Sequence, residues 1–169
     1  MKNIIEIERK FIIKMPDLER IKNEENYTSS AIIQIYLASD NNVTRRIRKR
    51  VFSGSVQYTE TTKIRVDKMS AIEREREISA SDFELLSKSM RIGTFPISKV
   101  RHTFDYLGLT FEIDVYPEWK STAVLEVELK ERDIAITFPR SVEIIREVTG
   151  DKAYSNASMA MNFPKELQT

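Results

Sequence analysis

Charged side chains alternate with apolar ones in segment after segment of this chain, and this alternation limits the folds it can adopt. Residues 4–10 read Ile-Ile-Glu-Ile-Glu-Arg-Lys. In a strand, Glu6, Glu8 and Lys10 project from one face and isoleucines project from the other. A single strand of this kind normally turns its charges to solvent. Six further segments carry polar or charged residues two apart: Arg46 and Arg48; Thr61 and Lys63; Glu73, Glu75 and Glu77; Lys99 and Arg101; Glu112 and Asp114; Glu126 and Glu128.

The composition sets the class of protein and excludes several kinds of partner. The 169 residues suit one domain, 1–169, since no linker or internal repeat divides them. There is no cysteine and no apolar run long enough to cross a bilayer, so we predict a cytoplasmic protein without a membrane partner. The net charge is only +1 although 31% of residues are charged, which gives no support to nucleic-acid binding.

Turn residues and β-branched residues predict mainly strands. Asp40-Asn41-Asn42, Ser53-Gly54 and Leu107-Gly108 read as turns between strands. Eight strands are predicted, over 3–13, 31–38, 43–52, 56–66, 70–79, 97–106, 109–116 and 123–131.

Four helices are predicted between and after the strands. A short one follows Pro16-Asp17, and a second begins with a capping box of Ser81 and Glu84 and ends at Gly93. A third covers 140–149, between Pro139 and Gly150, and a final short helix begins at Ser155. The fold class is therefore α+β with mostly antiparallel pairing.

Two architectures fit these elements. One is an open sheet whose charged face meets solvent, and the other is an eight-stranded antiparallel β-barrel with charges inside and helices packed outside. A charged interior is costly unless it is wet and its charges are paired, metal-bound or matched to a ligand. Rows of carboxylates beside rows of Lys and Arg meet this condition if the lumen holds a divalent cation with a polyanion. Because no glycine-rich phosphate loop is present, side chains must bind any phosphate.

The ordered set of motifs resembles the CYTH superfamily, also called triphosphate tunnel metalloenzymes. The hallmark is ExExK, which here is Glu6, Glu8 and Lys10. The other motifs, in order, are QIYL at 34–37, RIR at 46–48, TTK at 61–63, EREREI at 73–78, KVR at 99–101, FEID at 111–114, LEVEL at 125–129 and EVTGDKAYSN at 147–156. The resemblance implies an eight-stranded antiparallel tunnel, open through the molecule, that binds a linear triphosphate beside one or two divalent metals.

The resemblance also implies roles for individual residues. The EREREI stretch departs from a more familiar form, in which an arginine stands two residues before the paired glutamates. The implied metal ligands are Glu6, Glu8, Glu75, Asp114, Glu126 and Glu128, with Mg²⁺ or Mn²⁺ as the metal. The implied phosphate-binding residues are Lys10, Arg46, Arg48, Lys63, Lys99 and Arg101. Glu6, Glu126 and Lys10 are the expected catalytic residues, and Glu6 or Glu126 is the expected base.

The expected activity is metal-dependent hydrolysis of a triphosphate phosphoanhydride, with inorganic tripolyphosphate as the first substrate. A class IV-type adenylyl cyclase and a thiamine triphosphatase are alternatives within the same family. A polyphosphate- or nucleotide-binding module without catalysis is a third, but it could dispense with the carboxylate pairs Glu6/Glu8 and Glu126/Glu128. Whether monomers pair into a homodimer stays open.

Four residues outside these rows are expected to play other roles. His102 has the opposite parity to Lys99 and Arg101, so we predict a structural role. Trp119 is expected to anchor a loop. Tyr36 would either join a lumen network or pack in the core, and Lys152 would either reach the substrate or lie in solvent.

Overall fold

Antiparallel strands form most of the secondary structure in residues 4–40 and 43–168, which this computed structural model describes. The strands of this region are β1 Ile4–Lys14, β2 Glu25–Leu37, β3 Val43–Phe52, β4 Ser55–Arg65, β5 Ser70–Glu77, β6 Ile97–Tyr106, β7 Leu109–Val115, β8 Thr122–Leu129 and β9 Ile144–Glu147. The helices are α1 Leu18–Ile21, α2 Ala80–Ser87 and α3 Asn156–Met159, with a 3₁₀ turn over Lys152–Tyr154.

The first eight of these strands close into a barrel. Within the described residues they pair in the order β5-β4-β3-β2-β6-β7-β8-β1, and β1 pairs again with β5. The closing pair sets Ile5 opposite Ile72, and the β1–β8 pair sets Glu8 opposite Glu128. The predicted α+β barrel is therefore confirmed, and the open sheet is excluded.

The helix predicted over 140–149 is wrong, because this segment contains β9. β5 pairs with β1 only over Ile4–Ile7, so the second half of that edge is free for another strand. β9 pairs there with Phe11–Ile13, and Arg9 donates hydrogen bonds of 2.8 and 2.7 Å to Glu147. The Pro139 and Gly150 pattern is local, so it carries no information about this free edge. The edge exists only because β1 and β5 pair over part of their length.

Helix α2 also begins and ends earlier than predicted. Ser79, rather than Ser81, is the N-cap, and it forms the capping box with Asp82. The helix ends at Ser87 instead of Gly93, while the short helices after Asp17 and Ser155 are confirmed. Among the predicted turns, Asn41 and Asn42 lie outside the described residues, although β2 and β3 pair as the predicted hairpin.

The apolar side chains pack mostly on the outside of the barrel. Phe11, Phe111 and Leu125 belong to the largest cluster, and residues 134–138 pack against it. Phe83 and Leu86 of α2 pack on a smaller outer cluster around Ile47. No helix among the described residues is long and apolar enough to cross a membrane.

One end of the lumen is apolar. Ile12, Tyr36 and Tyr116 have the same parity as lumen residues in their parts of the chain. They pack with Tyr154 and Met159, which belong to residues 148–168, here called the C-terminal segment. The resemblance implied a tunnel open through the molecule, whereas side chains fill this end. The charged part of the lumen therefore ends at an apolar plug.

Candidate functional site

A cavity of about 630 Å³ lies inside the barrel, and ten of the twelve predicted site residues line it. These ten are Glu6, Glu8, Lys10, Arg46, Arg48, Lys63, Glu75, Arg101, Glu126 and Glu128. They come from six strands, and the strand period of two turns all of them inward. Barrel closure thus brings residues from both ends of the sequence into one site.

Glu126 is held as an anion by the cations around it. Its Oε1 lies 2.8 Å from Lys10 Nζ, and its Oε2 accepts a 2.8 Å hydrogen bond from Arg101 Nη2. Burial opposes ionisation, but Lys10, Arg101 and Lys99 outweigh it and hold the pKa of Glu126 well below its ordinary value. Glu126 is therefore a charged wall residue and a weak base.

Glu6 lies in the opposite electrostatic setting. Burial and the neighbouring carboxylates of Glu73 and Glu8 raise the pKa of Glu6 to about 7, although Lys63 acts against this. Glu73 stays ionised, because Arg46 and Lys63 outweigh its burial and lower its pKa; Lys63 Nζ lies 2.7 Å from Glu73. Glu6 can therefore gain and lose a proton near neutral pH.

The acidic side chains are crowded on one part of the wall. Glu8 and Glu128 are directly opposed across β1 and β8, an arrangement that repulsion disfavours. Burial and the nearby carboxylates of Glu112, Glu8 and Glu126 raise the pKa of Glu128 beyond what Arg101 can offset. A divalent cation would relieve this repulsion, and carboxylate oxygens are donors that suit Mg²⁺ and Mn²⁺. In the described residues, however, no three metal-ligating side chains already converge on one point.

Lys99 and Asp114 lie on the same strand faces as Arg101 and Glu112, inside the barrel, but they are not part of the cavity lining. Both side chains are fully buried, and Lys99 Nζ lies 2.5 Å from Asp114 Oδ2. Arg101 Nε and Nη2 donate to the two Asp114 oxygens over 2.6 and 2.7 Å. In this structure each is paired with a buried partner, so the phosphate role predicted for Lys99 and the metal role predicted for Asp114 stay predictions. Asp114 holds Arg101 in place against the lumen.

The lumen-facing arginines Arg46 and Arg48 of β3 are only partly satisfied by other described groups. Arg46 is 3.7 Å from Glu73, and the Arg48 side chain makes a long contact of 3.5 Å to Gln34. In the described structure the buried Nε atoms of both arginines have no hydrogen-bond partner. Burial and the positive charges of Arg46 and Arg101 lower the pKa of Arg48 to about 10. This face of the lumen is a ready anion-binding surface.

Several lumen residues were not assigned from the sequence. Glu73 and Glu112 line the cavity, and the two-residue spacing within their own segments was the signal that could have found them. Thr149 of the C-terminal segment also lines it, and Thr149 Oγ1 accepts a 2.9 Å hydrogen bond from the Lys10 backbone; nothing periodic marks this residue. Lys152, for which the sequence left substrate contact and solvent exposure open, is exposed and lines the cavity.

Of three further residues, Tyr36 borders the cavity, whereas His102 and Trp119 do not. Tyr36 lines the cavity and accepts a 3.1 Å hydrogen bond from buried Gln34. His102 lies outside the lumen lining, with its Nδ1 2.9 Å from the hydroxyl of Tyr27. Trp119 is buried and donates to the Pro164 carbonyl over 3.0 Å, so it anchors the C-terminal segment.

Comparison with solved structures identifies the fold family. The inorganic triphosphatase NE1496 superposes with a TM-score of 0.60 and 28% identity, over 94% of this chain and 96% of that one. The chain belongs to the CYTH superfamily. PH1819 from Pyrococcus horikoshii OT3 has a similar fold, with a TM-score of 0.57 and 23% identity over 76% of this chain and 80% of its own. A conserved hypothetical protein from Pyrococcus furiosus matches similarly, with a TM-score of 0.58 and 22% identity over 76% and 80%. No protein-family model and no curated protein matches the chain.

Proposed function

We propose that this CYTH protein is a divalent-metal-dependent triphosphatase that hydrolyses inorganic tripolyphosphate inside its barrel. The observation that carries the proposal is one cavity that combines a crowded carboxylate wall with two arginines, Arg46 and Arg48, whose buried Nε atoms have no hydrogen-bond partner among the described residues. Such a site matches an anion that arrives together with a divalent cation. The 28% identity to the inorganic triphosphatase NE1496 supports the same activity.

The phosphate groups bind to cations that face the lumen. Arg46 and Arg48 offer guanidinium donors that no described carboxylate saturates. Lys10 contacts Glu126 through one oxygen, and its ammonium group carries three N–H donors in total. Arg101, fixed by Asp114, holds its positive charge close to Glu126 at the boundary between the two faces.

Glu8, Glu126 and Glu128 would hold the divalent metal, because these three line the cavity with carboxylate oxygens, and this leaves the Glu6 carboxylate free to take a proton. When bound there, Mg²⁺ or Mn²⁺ would neutralise charge on the phosphate oxygens.

Glu6 is the better of the two base candidates. A general base works best when its pKa lies near the working pH, and the surroundings of Glu6 move its pKa toward 7. Glu126 has its negative charge stabilised by three cations, which makes it reluctant to accept a proton. We therefore assign proton removal from the attacking water to Glu6 and charge stabilisation to Glu126.

One assay tests the proposal directly. Purified protein is incubated with tripolyphosphate, ATP or thiamine triphosphate, each with Mg²⁺ or Mn²⁺, and phosphate, pyrophosphate and cyclic AMP are measured. We expect the fastest turnover with tripolyphosphate, giving phosphate and pyrophosphate. Cyclic AMP with pyrophosphate from ATP would instead identify a cyclase. No product from any substrate would overturn the enzymatic assignment.

A further inference from the structure

The loop between α2 and β6 carries large apolar side chains that the described structure leaves in solvent. Ile92 is 97% exposed and Phe95 is 70% exposed. Met161 of the C-terminal segment is 50% exposed, and the backbone N–H of Phe95 donates a 2.7 Å hydrogen bond to the carbonyl of the preceding residue, Ala160. Ile92, Phe95 and Met161, here called the apolar tip, therefore lie at the same end of the barrel.

The loop holds the apolar tip in a defined position. Thr94 is buried, and its backbone N–H and its hydroxyl both donate to the Arg91 carbonyl, over 3.2 and 2.7 Å. Gly93 has φ +79°, which glycine adopts without strain, and Arg91 N–H donates to the Tyr36 carbonyl over 2.8 Å. Ile92 is a central residue of this closed turn. Single exposed apolar residues are common, but three that lie together beside an ordered turn indicate a contact surface.

The two segments that form the apolar tip carry positive charge and no acidic residue. They contain four exposed cations, which are Lys88 and Arg91 within 85–98 and Lys152 and Lys165 within 152–165. The acids that flank the second segment have partners, since Asp151 lies 3.7 Å from Arg146 and Glu166 accepts a hydrogen bond from the Thr122 backbone. The neighbouring β2–β3 turn adds one acid, Asp40, so the local excess stays positive.

We propose that the apolar tip docks on the surface of an anionic lipid bilayer. Ile92 and Phe95 insert at the level of the headgroups, and the cations of the same two segments contact the lipid phosphates. Binding at a membrane surface needs both parts, because apolar burial holds the protein in the interface and cations attract it to anionic lipids. This inference goes beyond the proposed function, which sets no requirement on the outer surface.

A second copy of the chain fits the apolar tip less well. A two-fold axis brings the same patch of each copy to the interface, so the cations around one tip would face those around the other. Such like-charge contacts are unfavourable. Three side chains are also few beside the roughly 20 to 30 residues on each side of a stable interface of standard size.

The proposal replaces the sequence-based expectation of no membrane partner. That expectation rested on the lack of a spanning segment and on the net charge of +1. Docking at a surface needs neither a span nor a high net charge, because a local set of exposed apolar and cationic side chains is sufficient.

Co-flotation with vesicles tests the proposal. The protein is mixed, without substrate, with vesicles of phosphatidylcholine alone or of phosphatidylcholine and phosphatidylglycerol in equal parts, and the bound fraction is measured against lipid concentration. The variants are Ile92→Ser, Phe95→Ser and Arg91→Gln. Leu107→Ser is the matched control, because Leu107 is also an exposed apolar residue in a turn but follows the other end of β6.

We expect wild type to bind the anionic vesicles at least about tenfold more tightly than phosphatidylcholine. Ile92→Ser and Phe95→Ser should each weaken this binding about tenfold, because one apolar side chain leaves the interface. Arg91→Gln should weaken it about fivefold, the usual contribution of one cation near an anionic surface. Leu107→Ser should bind like wild type. All four variants should keep the wild-type Tm, since the replaced side chains are exposed.

Equal binding of wild type and Ile92→Ser to the anionic vesicles would overturn the proposal, because the apolar tip would then contribute nothing. No binding by wild type would do the same. Analytical ultracentrifugation supplies a further check. Self-association of wild type that Ile92→Ser abolishes, without binding to vesicles, would assign the apolar tip to a second copy of the chain instead.

Discussion

Glu6 and Glu126 show how neighbouring groups give two lumen carboxylates different chemistry. Glu126 is enclosed by cations, whereas Glu6 lies beside Glu73 and Glu8. The difference cannot be read from residue type or from spacing, since both are glutamates that begin an ExE pair. It follows from which strands the barrel places next to each other.

Replacing Glu6 tests its assignment as the base. We expect Glu6→Gln to lower kcat for tripolyphosphate by about 10² to 10⁴, the usual contribution of general base catalysis. The variant should remain folded, because an amide has nearly the shape of the protonated carboxyl. Steady-state kinetics and thermal unfolding followed by circular dichroism measure the two effects.

Glu19→Gln is the control for Glu6→Gln, because Glu19 is exposed on α1 and bonds only to Lys22 and neighbouring groups of its own turn. Near-normal turnover by Glu6→Gln would remove Glu6 from the base role.

Replacing Asp114 tests whether its buried ion pair with Lys99 stabilises the fold and the position of Arg101. Asp114→Asn leaves the fully buried Lys99 ammonium without its counter-charge and weakens the hold on Arg101. Breaking one partner of such a pair typically costs about 3 to 5 kcal/mol of unfolding free energy. Urea unfolding should show this loss, whereas Glu84→Gln on the exposed face of α2 should change little. A loss below about 1 kcal/mol would mean that the pair is not structural.

On the outer surface, three neighbouring strands are joined by one carboxylate. Glu60 of β4 accepts 2.7 Å from Arg45 of β3 and 2.8 Å from Arg76 of β5, and its side chain is 8% exposed. Burial opposes its ionisation, but the hydrogen bonds from Arg45 and Arg76 prevail and lower the pKa of Glu60 below 4.5. A lowered pKa in the folded state stabilises the protein above the unfolded pKa, and this contribution disappears as pH falls through the folded value.

Glu60→Gln should therefore destabilise the barrel in a pH-dependent way. We expect a loss of about 1 to 2 kcal/mol at pH 7, moderated by the solvent exposure of both arginines. The difference from wild type should shrink as pH falls below about 4.3, the ordinary pKa of a glutamate in the unfolded chain, and vanish below the lower pKa of folded Glu60. Urea unfolding at a series of pH values measures this, and a difference that stays constant with pH would contradict the ionic origin.

Across the molecule, the C-terminal segment approaches the β4–β5 turn most tightly at Gly150. Gly150 has φ +73°, and a Cβ there would lie 2.9 Å from Lys68 Cβ in the β4–β5 turn. Thr149 and Lys152 on either side line the cavity. The shape of the lumen therefore depends on how closely this segment approaches the turn.

Gly150→Ala should disturb both stability and substrate binding. The positive φ costs about 1 kcal/mol for alanine, and the clash with Lys68 displaces the segment further. We expect a lower Tm together with a raised KM for tripolyphosphate. Gly108→Ala is the matched control, because Gly108 has φ +77° but no atom within 4 Å of an added Cβ. It should lower Tm and leave KM unchanged; equal KM effects would disconnect the segment from the lumen.

The sequence by itself determined which residues share the lumen face, because strand geometry fixes a period of two and each charged row kept to it. Only the tertiary structure decided that the face closes on itself, since the pairing of Ile5 with Ile72 joins strands far apart in the chain. It also decided that 144–147 forms a strand on the edge of β1, and that Asp114 is fully buried and outside the cavity lining while Glu126 lines the cavity. Periodicity specifies the side of a strand but neither its neighbour nor the depth of a side chain, and those two quantities set the electrostatics of each carboxylate.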